Sequence, residues 1–341
     1  MTKITEYLEV LLEGGDLKYN QAKDLLDTIF KGDVAEVQIA AFLAAMRMKK
    51  ATAAEFAGFA QSLRNHAIKV TTKIPNLIDT CGTGGAPLKT FNVSTAAAFV
   101  AAGAGAYVAK HGNRSITSKS GSADVLESLG VKIDCTPEVI AECIENAHFG
   151  FMFAPMHHPA MKFVQPIRKS LDFRTAFNIL GPLANPANAH AQVMGVPDES
   201  LLDRIAETFE ILGVKRALIV NSAGLDEISV SSPTKVVEIK DKKRISYKIL
   251  PEEFGIKSPK MAELVGSNAD YNAGMIKDIL YGKNKGPARD MVLLNAAAAI
   301  MVADLAADLH EGFKKAALSV DSGSAAKCLE DLIEISNGRN K

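Results

Sequence analysis

The chain has 341 residues, enough for more than one domain, and 48% of them are hydrophobic, which excludes a disordered protein. Its 39 basic residues balance 39 acidic ones, so any anion site must be local and no chain-wide basic field for nucleic acid exists. Four widely spaced cysteines predict a reducing, cytoplasmic compartment rather than a disulfide scaffold or a zinc module. The sequence holds no apolar run of about 18 residues, so no membrane span is predicted.

Residues 1–67 are predicted to form a helical domain. Apolar side chains recur there every three or four residues, as on one face of a helix. Asp33 is predicted to cap one helix, and Thr52 with Glu55 forms a capping box that opens the next. Residues 68–75, with the sequence IKVTTKIP, have no helical period and are predicted to be a hinge linker.

Residues 76–341 alternate short apolar runs with helical segments. This order predicts an α/β domain in which a mainly parallel sheet is covered by helices on both faces. An Ala-rich helix is predicted over residues 287–308 and is expected to be buried. The strand candidates are Leu77–Ile78, Tyr107–Ala109, Phe149–Phe153, Gln192–Val196, Ala217–Val220, Val236–Ile239 and Ile245–Ile249.

A glycine-rich turn, Gly82 to Gly85 with the sequence GTGG, follows the first strand candidate. Glycine accepts a positive φ and a close backbone approach, so this turn can surround a phosphate with N–H groups. An ordinary tight turn is an equal alternative from these residues alone. The segment NVST at 92–95 leads into an Ala-rich helix that Ser94 or Thr95 is predicted to cap, with its N-terminus facing the same anion.

A polar segment from Lys110 to Ser122 follows the second strand candidate. It holds three cations, one histidine and five hydroxyl groups in thirteen residues. A loop at the carboxyl end of a parallel strand is where α/β proteins bind ligands, and this composition suits a polyphosphate. The alternatives are a solvated basic loop and, for Ser122, an ordinary helix cap.

An acidic pair and an arginine complete the candidate chemistry. Asp226 and Glu227 are adjacent carboxylates of the kind that bind hard cations, although a solvated acidic turn is the default without a polyphosphate opposite. Arg168 can bind a carboxylate in a two-pronged manner, and a surface salt bridge is its alternative. Arg174 follows in the same stretch, and a structural tie is its alternative.

Taken in chain order, these segments resemble the anthranilate phosphoribosyltransferases of tryptophan biosynthesis over nearly the whole chain. The resemblance implies a helical domain hinged to a larger α/β domain of the nucleoside phosphorylase/phosphoribosyltransferase type, with helices near 165–182 returning to the helical domain. It also implies transfer of the 5-phosphoribosyl group of phosphoribosyl pyrophosphate (PRPP) to the amine of anthranilate, with release of pyrophosphate. The motifs that carry the likeness are GTGG at 82–85, NVST at 92–95, KHGNRSITSKSGSADVLESLG at 110–130, RTAFNILGPLANP at 174–186 and GLDE at 224–227.

The resemblance assigns the donor and the metal to the residues that match the family's motifs. Ser94, Asp226 and Glu227 are expected to ligate Mg²⁺, with two ions per subunit when the donor is bound. The residues expected to contact PRPP are Gly82, Gly85, Ala86, Thr90, Asn92, Val93, Ser94, Thr95, Lys110, His111, Gly112, Asn113, Arg114, Ser115, Ile116, Thr117, Ser118 and Ser122.

For the acceptor, the resemblance implies a site formed by Gly82, Asn113 and Arg168, with Arg168 on the carboxylate of anthranilate. Lys110 is then expected to stabilise the departing pyrophosphate together with Mg²⁺, and His111 to orient the reactants. The aromatic amine is already neutral at pH 7. Neither a covalent intermediate nor an indispensable general base is therefore expected.

The resemblance further implies a homodimer formed through the helical domain, with no nucleic-acid or membrane partner, and hinge closure that excludes water. The chain departs from the family pattern at Ala86-Pro87, where many relatives have Asp-Gly, and at Thr117, where Ser is common. It also has Ser170 and Asp172 where many relatives have Glu and Gly. These departures concern loop dynamics and affinity more than the type of reaction.

Two other functions fit parts of the pattern. A pyrimidine nucleoside phosphorylase resembles this fold, but it would be a longer chain with an added C-terminal domain. A non-enzymatic, nucleic-acid-binding relative would need a basic surface and degenerate phosphate loops, whereas this chain has a net charge of zero and intact loops.

Overall fold

The structure is a computed structural model that describes residues 2–115, 119–257, 259 and 261–338. Seven strands form one sheet, and the remaining regular elements are mostly α-helices. The strands are β1 (Leu77–Gly82), β2 (Tyr107–Gly112), β3 (Phe149–Phe153), β4 (Ala191–Gly195), β5 (Arg216–Asn221), β6 (Thr234–Lys240) and β7 (Lys243–Ile249). The helices are α1 (Lys3–Leu12), α2 (Tyr19–Lys31), α3 (Glu36–Lys49), α4 (Ala53–Asn65), α5 (Val93–Gly103), α6 (Ser122–Ser128), α7 (Pro137–Ala147), α8 (Ala154–His157), α9 (Gln165–Leu171), α10 (Phe177–Leu183), α11 (Leu202–Ile211), α12 (Ala269–Leu280), α13 (Pro287–Val302), α14 (Leu309–Asp321) and α15 (Ser324–Ser336).

The sheet has the strand order β3-β2-β1-β4-β5-β6-β7. β1 to β5 are parallel, and β6 and β7 extend the sheet as antiparallel strands. This arrangement confirms the predicted class, a helical N-terminal part followed by a mainly parallel α/β domain. The strand order reverses direction at β1, so the carboxyl ends of β2, β1 and β4 lie side by side at a position where open α/β sheets bind ligands.

β1 and β2 are longer than the sequence predicts. The predicted strands stop at Ile78 and Ala109, where the apolar residues end, but the ladder continues through Gly82 and Gly112. Lys110 and His111 therefore lie on a strand, and their placement in the following loop was wrong. Hydrophobicity failed as a guide here because these polar side chains are buried and hydrogen-bonded rather than solvated.

The two faces of the sheet pack against different helices. On one face, α5 and α13 form the centre of a large apolar cluster that also contains residues of α6, α12, α14 and α15. On the other face, α11 joins the sheet to the N-terminal helices within a second cluster. The predicted helix at 287–308 is buried as expected, but it ends at Val302, and Asp304 has a left-handed backbone conformation.

The N-terminal helices show one correct and one wrong cap prediction. Thr52 and Glu55 form the predicted capping box, and the Glu55 carboxylate also binds Lys49 at 2.8 Å. Asp33 does not cap the next helix, because that helix begins only at Glu36 and its N-cap is Ala35.

The short helices α9 and α10 pack against α3 and α4, respectively, and share the apolar cluster of the N-terminal helices. Their chain position between β3 and β4 brings side chains of the helical layer over the carboxyl edge of the sheet. Within the residues that the structure describes, none of the helices combines the length and apolar character that crossing a bilayer demands.

Candidate active site

A cavity of about 720 Å³ lies between the carboxyl edge of β1 and β2 and the helices α8 to α10. It gathers residues that are far apart in the sequence. Val93 is not among its lining residues, and Ile116, Thr117 and Ser118 lie outside the described residues. The predicted site residues that line the cavity are Gly82, Gly85, Ala86, Thr90, Asn92, Ser94, Thr95, Lys110, His111, Gly112, Asn113, Arg114, Ser115, Ser122, Arg168, Asp226 and Glu227.

The glycine-rich turn at the end of β1 is built against Asp226. The N–H of Gly84 donates to Asp226 Oδ2 at 2.8 Å, and a Cβ atom on Gly82 would lie 2.3 Å from the same oxygen. Gly195, at the end of β4, is equally constrained, because its Cβ would lie 1.7 Å from the Asp226 carbonyl oxygen. Gly84 and Gly85 both have positive φ, so the turn needs the backbone freedom of glycine.

Asp226 and Glu227 form a partly buried acidic pair at the N-terminus of α5. Thr90 Oγ1 donates to Glu227 Oε2 at 2.9 Å, close to the backbone N–H of Ser94 in the first turn of α5. Burial raises the pKa of Asp226, and burial together with the neighbouring Asp226 charge raises the pKa of Glu227 well above its ordinary value. A cation between these carboxylates would favour their ionised forms.

The donor atoms around this pair fit Mg²⁺. They are carboxylate and hydroxyl oxygens, which hard cations prefer, from Ser94, Asp226 and Glu227. No group of three or more His, Cys, Asp or Glu side chains suited to a metal occurs among the described residues. The protein thus offers few ligands, as at sites where Mg²⁺ keeps several waters and shares the phosphates of a substrate.

Asn92, and not Ser94 or Thr95, is the N-cap of α5, so the sequence prediction of that cap was wrong. The helix begins two or three residues earlier than predicted, at Val93, which places Ser94 and Thr95 in its first turn. The Ser94 hydroxyl is consequently free of a capping role and lies 3.4 Å from Lys110 Nζ. Val93 is fully buried, and its N–H is bonded to the carbonyl of Phe91.

Lys110 is a cation buried at the sheet edge. Its ammonium group donates to the Thr80 carbonyl. Burial lowers the pKa of Lys110, although the nearby Asp79 carboxylate acts in the opposite direction. Asp79 has a pKa of about 6 because it is buried, although Asn185 Nδ2 donates to it at 2.8 Å. This buried pair fixes a positive group beneath the glycine turn and beside Ser94.

His111 presents an acceptor nitrogen. Its Nδ1 lies 3.0 Å from the carbonyl of Gly181, which requires the proton on Nδ1 and leaves Nε2 as the acceptor. Neither His111 Nε2 nor His158 Nε2 has a hydrogen-bond partner in the described part of the chain. The two rings are 5.0 Å apart, and burial lowers both pKa values, that of His158 to about 4, so both rings are neutral.

Arg114 differs from the expectation of a free phosphate-binding cation. Its guanidinium is paired with Glu127 and, at 3.0 Å, with Asp124, both on α6. Asp124 also accepts the backbone N–H groups of Ser115 and Gly121 at 3.0 and 2.8 Å. Arg114, Ser115 and Gly121 are therefore held by the acidic first turns of α6.

Arg168 lies on the opposite wall of the cavity, on α9. Its guanidinium carbon is 5.4 Å from the ring centre of Phe177, and Nη1 is 3.3 Å from Gln165 Oε1. Within the described residues no carboxylate is within salt-bridge distance of it. Burial lowers its pKa, as expected for a cation placed where a ligand carboxylate would complete its environment.

Sequence reasoning left Arg174 and His158 out of the site, although both line the cavity. Arg174 Nη2 donates to the carbonyl of Gly84 at 2.9 Å and so joins the segment after α9 to the glycine turn. Asp172, between Arg168 and Arg174, has φ of 49°, which is the left-handed conformation that glycine adopts with less strain. The signal for Arg174 was present in the RTAFN motif, whereas His158 was marked only as one of two adjacent histidines before Pro159, for which a helix-start or supporting role was preferred to metal binding.

Two family models match the chain. The helical bundle domain of a glycosyl transferase family matches residues 5–67, and the a/b domain of that family matches residues 74–326. Among curated proteins, the anthranilate phosphoribosyltransferase of Methanocorpusculum labreanum is 48% identical over 338 residues, covering 99% of both chains. That of Desulfatibacillum aliphaticivorans is 45% identical, covering 97% of this chain and 98% of its own length.

The solved structures that resemble this chain are also anthranilate phosphoribosyltransferases. The anthranilate phosphoribosyltransferase of Thermus thermophilus has a TM-score of 0.92 and 38% identity, covering 97% of this chain and 99% of its own. The Saccharomyces cerevisiae enzyme with PRPP and Mg bound has a TM-score of 0.88 and 29% identity, with 98% of each chain covered. The yeast enzyme in complex with 4-fluoroanthranilate has a TM-score of 0.87 and 28% identity at the same coverage.

Proposed function

This chain belongs to the anthranilate phosphoribosyltransferase family of glycosyl transferases, and from that premise we propose that its cavity transfers the 5-phosphoribosyl group of PRPP to the amine of anthranilate in tryptophan biosynthesis. One observation carries the proposal. A single cavity has a partly buried carboxylate pair beside a glycine turn on one wall and Arg168, without an acidic partner in the described chain, on the other. The carboxylate pair and the glycine turn suit a magnesium diphosphate, and Arg168 suits the carboxylate of an aromatic acid.

The donor binds along the carboxyl edge of β1 and β2. The glycine turn, the N-terminus of α5 and the described residues after β2, 113–115 and 121–122, border one space with backbone and hydroxyl groups. We propose no donor contact for the side chains of Val93, which is buried away from the cavity, and Arg114, which is occupied by two carboxylates. The proposed donor contacts are Gly82, Gly85, Ala86, Thr90, Asn92, Ser94, Thr95, Lys110, His111, Gly112, Asn113, Ser115 and Ser122.

Ser94, Asp226 and Glu227 hold the metal. Bound Mg²⁺ supplies positive charge that orients the diphosphate and stabilises it as a leaving group. We propose two ions per subunit with the donor present, because two adjacent carboxylates and a diphosphate offer more oxygens than one six-coordinate ion uses. Anomalous scattering from Mn²⁺ in donor-soaked crystals tests the number, and a single peak would refute it.

Transfer forms a bond between the anomeric carbon and the amine nitrogen and breaks the bond to the pyrophosphate oxygen. The electron pair of the broken bond leaves with pyrophosphate, and the amine loses one proton after attack. Lys110, the N–H groups of Gly85 and Ala86 at the end of the turn, and the start of α5 act where negative charge grows. No covalent intermediate is needed, since the acceptor amine is a neutral nucleophile.

The acceptor binds between Arg168, Asn113 and Gly82. Arg168 receives the carboxylate in a two-pronged contact while its guanidinium stays on the Phe177 ring. His111 helps to orient the reactants through its bond to the Gly181 carbonyl, since its Nε2 is buried rather than open to the cavity. Its depressed pKa makes it a weak base, so we assign it orientation rather than proton abstraction.

Loss of anthranilate fluorescence in the presence of PRPP and Mg²⁺ tests the function directly. We expect consumption that matches pyrophosphate release and stops when EDTA removes the metal. A pyrimidine nucleoside phosphorylase would instead release base from thymidine or uridine with inorganic phosphate. A nucleic-acid-binding relative would bind single-stranded DNA with a steep salt dependence and leave anthranilate untouched. The comparisons do not favour either alternative.

We propose that residues 1–67 form a helical domain, residues 76–341 form the α/β domain, and residues 68–75 are the hinge. The first residues of the linker are attached to the α/β domain. His157 Nδ1 lies 2.7 Å from the Ile68 carbonyl, the Ile68 N–H donates to the His157 carbonyl at 2.8 Å, and the Val70 N–H donates to the Pro186 carbonyl. Small-angle scattering with and without PRPP and Mg²⁺ tests closure of the cavity, and an unchanged radius of gyration would argue against it.

We propose a homodimer formed through the helical domain in the cytoplasm. The packed helices α1 and α3 leave Leu12, Val37 and Met48 exposed, at 67%, 77% and 85%, which is unfavourable unless another surface covers them. The cysteines are free thiols, as a reducing compartment requires. Analytical ultracentrifugation of wild type and of Val37→Asp tests the dimer, and equal sedimentation of both as monomers would exclude this interface.

A further inference from the structure

Two buried asparagines reach the site from the helical layer on the far side of the sheet. Asn272 lies on α12 and Asn295 on α13, with 2% and 7% of their surfaces exposed. Neither belongs to the lining of the cavity. Any influence on the reaction must therefore pass through other residues, and their hydrogen bonds identify which ones.

The Asn295 side chain is hydrogen-bonded to the backbone of Ile228, the residue immediately after the acidic pair. Its Oδ1 accepts the N–H of Ile228 at 3.0 Å, and its Nδ2 donates to the Ile228 carbonyl at 2.8 Å. Nδ2 also donates to the carbonyl of Met291 one turn earlier on α13, at 2.9 Å. The side-chain amide thus pairs with one residue as a neighbouring strand would, and it ties Glu227 and its neighbour to a buried helix.

Ile228 is fully buried, so water cannot replace these bonds. Removing the Asn295 amide would leave a backbone donor and acceptor without partners directly beside Glu227. The backbone would then shift to recover them, and the carboxylates at 226 and 227 would move with it. Metal ligands depend on such supporting contacts for their orientation.

Asn272 holds a different part of the site. Its Nδ2 donates to Asn92 Oδ1 at 2.9 Å, and its Oδ1 accepts the N–H of Ser267 at 2.8 Å. Ser120 Oγ donates to the same Asn92 oxygen at 3.1 Å, and Asn92 Nδ2 donates to the Ser120 carbonyl at 3.3 Å. Asn272 therefore helps to fix the N-cap of α5 relative to the segment after β2.

The segment before α12 reinforces this attachment. Gly266 N–H donates to the Lys89 carbonyl at 3.1 Å, and Phe91 N–H donates to the Leu264 carbonyl at 3.3 Å. A Cβ on Gly266 would lie 2.7 Å from Phe91 Cα, so the two backbones run in direct contact. Residues 89–92 are thus held by 264–267 and by the Asn272 side chain together.

We propose that Asn295 and Asn272 are positioning residues, Asn295 for the metal-binding carboxylates and Asn272 for the diphosphate-binding start of α5. This inference rests on the proposed function of the same cavity. The two residues are comparable in type, burial and layer, but they act on different parts of the site. Each is therefore the matched control for the other.

Steady-state kinetics of Asn295→Leu and Asn272→Leu separate the two roles, since leucine keeps the buried volume and removes the hydrogen bonds. For Asn295→Leu we expect the Mg²⁺ concentration at half-saturation to rise about tenfold or more. For Asn272→Leu we expect the KM for PRPP at saturating Mg²⁺ to rise about tenfold, the value of one buried hydrogen bond. The KM for anthranilate should change little in either.

Ser319→Ala controls for lost buried hydrogen bonding. Ser319 is 3% exposed on α14 and donates to the Val100 carbonyl at 2.8 Å, in the middle of α5 rather than at its start. It should lower thermal stability without moving the constants for Mg²⁺ or PRPP. If Ser319→Ala shifts them as the asparagine variants do, or if both asparagine variants shift the same constant, the positioning roles are overturned.

Calorimetric titration with Mg²⁺ and inorganic pyrophosphate gives a readout that does not need turnover. Asn295→Leu should weaken the Mg²⁺-dependent binding, and Asn272→Leu should weaken pyrophosphate binding at saturating Mg²⁺. If wild type binds this pair but does not consume anthranilate, the proposed function fails while the positioning roles stand. If wild type is active and both variants bind as wild type does, the positioning roles fail alone. Should a leucine variant not fold, Asn→Ser at the same position repeats the comparison.

Discussion

The two walls of the cavity, the carboxyl edge of the sheet and the helices α8 to α10, differ in how many of their polar groups are paired within the protein. On the sheet wall, hydrogen bonds join the glycine turn, the acidic pair and the start of α5, as Gly84 to Asp226 and Thr90 to Glu227, although Thr83 Oγ1 in the turn has no partner among the described residues. On the helical wall, Arg168 has no acidic partner in the described chain, and His158 Nε2 has no hydrogen-bond partner there. His111 links the two walls through its bond to Gly181.

This difference indicates that the donor side is preorganised whereas the acceptor side is completed by its ligand. A diphosphate with metal is a large, strongly hydrated charge, and binding it without reorganisation keeps the cost of desolvation low. A small aromatic acid can instead supply the carboxylate that Arg168 on the helical wall lacks. Variants on the two walls should therefore fail in different ways.

The largest effect is expected on the sheet wall, from Asp226→Asn combined with Glu227→Gln. Without the carboxylates the metal is lost, and kcat/KM should fall on the order of 10³-fold and depend on far higher Mg²⁺. A Mg²⁺ titration of turnover measures this. Asp203→Asn with Glu207→Gln, two exposed carboxylates on α11, is the charge-matched control. An unchanged titration would remove the acidic pair from the metal site.

The next effect is on the helical wall, where Arg168→Ala should raise the KM for anthranilate about 100-fold, because a two-pronged charged contact is lost. The KM for PRPP should stay near its wild-type value. Lys169→Ala, the neighbouring exposed cation, is the control. Equal increases for both substrates would show that the walls are not separate in function.

Arg174→Ala should have an intermediate effect that is shared by both substrates. Arg174 joins the walls through its bond to Gly84, so its loss should loosen the glycine turn and the segment after α9 together. We expect about a tenfold fall in kcat/KM for each substrate, equivalent to one hydrogen bond to a charged group. If only one substrate is affected, Arg174 belongs to a single wall.

The smallest effect concerns stability and pH. Burial lowers the pKa of His158 from 6.5 to about 4, so the unfolded chain binds a proton in that range while the native state does not. The unfolding free energy should therefore fall as the pH decreases, by about 1 kcal/mol between about pH 6.5 and 5.5 from this residue alone.

His158→Gln removes that contribution. Urea unfolding at several pH values should give a flatter profile for the variant, although other buried histidines and the opposing Asp79 keep some slope in both proteins. Identical slopes for the variant and wild type would mean that His158 is not held neutral by burial.

The sequence predicted correctly those structural features that depend only on residues close together in the chain. The capping box at Thr52 and Glu55, the glycine turn and the alternation of strands and helices are local features, and the structure contains all three. It was a poor guide where polar residues are buried. The runs Asp79–Gly82 and Lys110–Gly112 looked like loops, because only tertiary contacts make a buried charge tolerable.

What the amino-acid sequence determined by itself is the fold class and the inventory of chemical groups: phosphate-binding turns, an acidic pair and a carboxylate-binding arginine. Only the tertiary structure decided which of them are available. It occupied Arg114 with two carboxylates, left Arg168 open, and bonded Asn295 to Ile228, beside the acidic pair and 67 residues away along the chain. The physical reason is that hydrogen bonding and burial depend on proximity in space, which periodicity and local motifs do not encode.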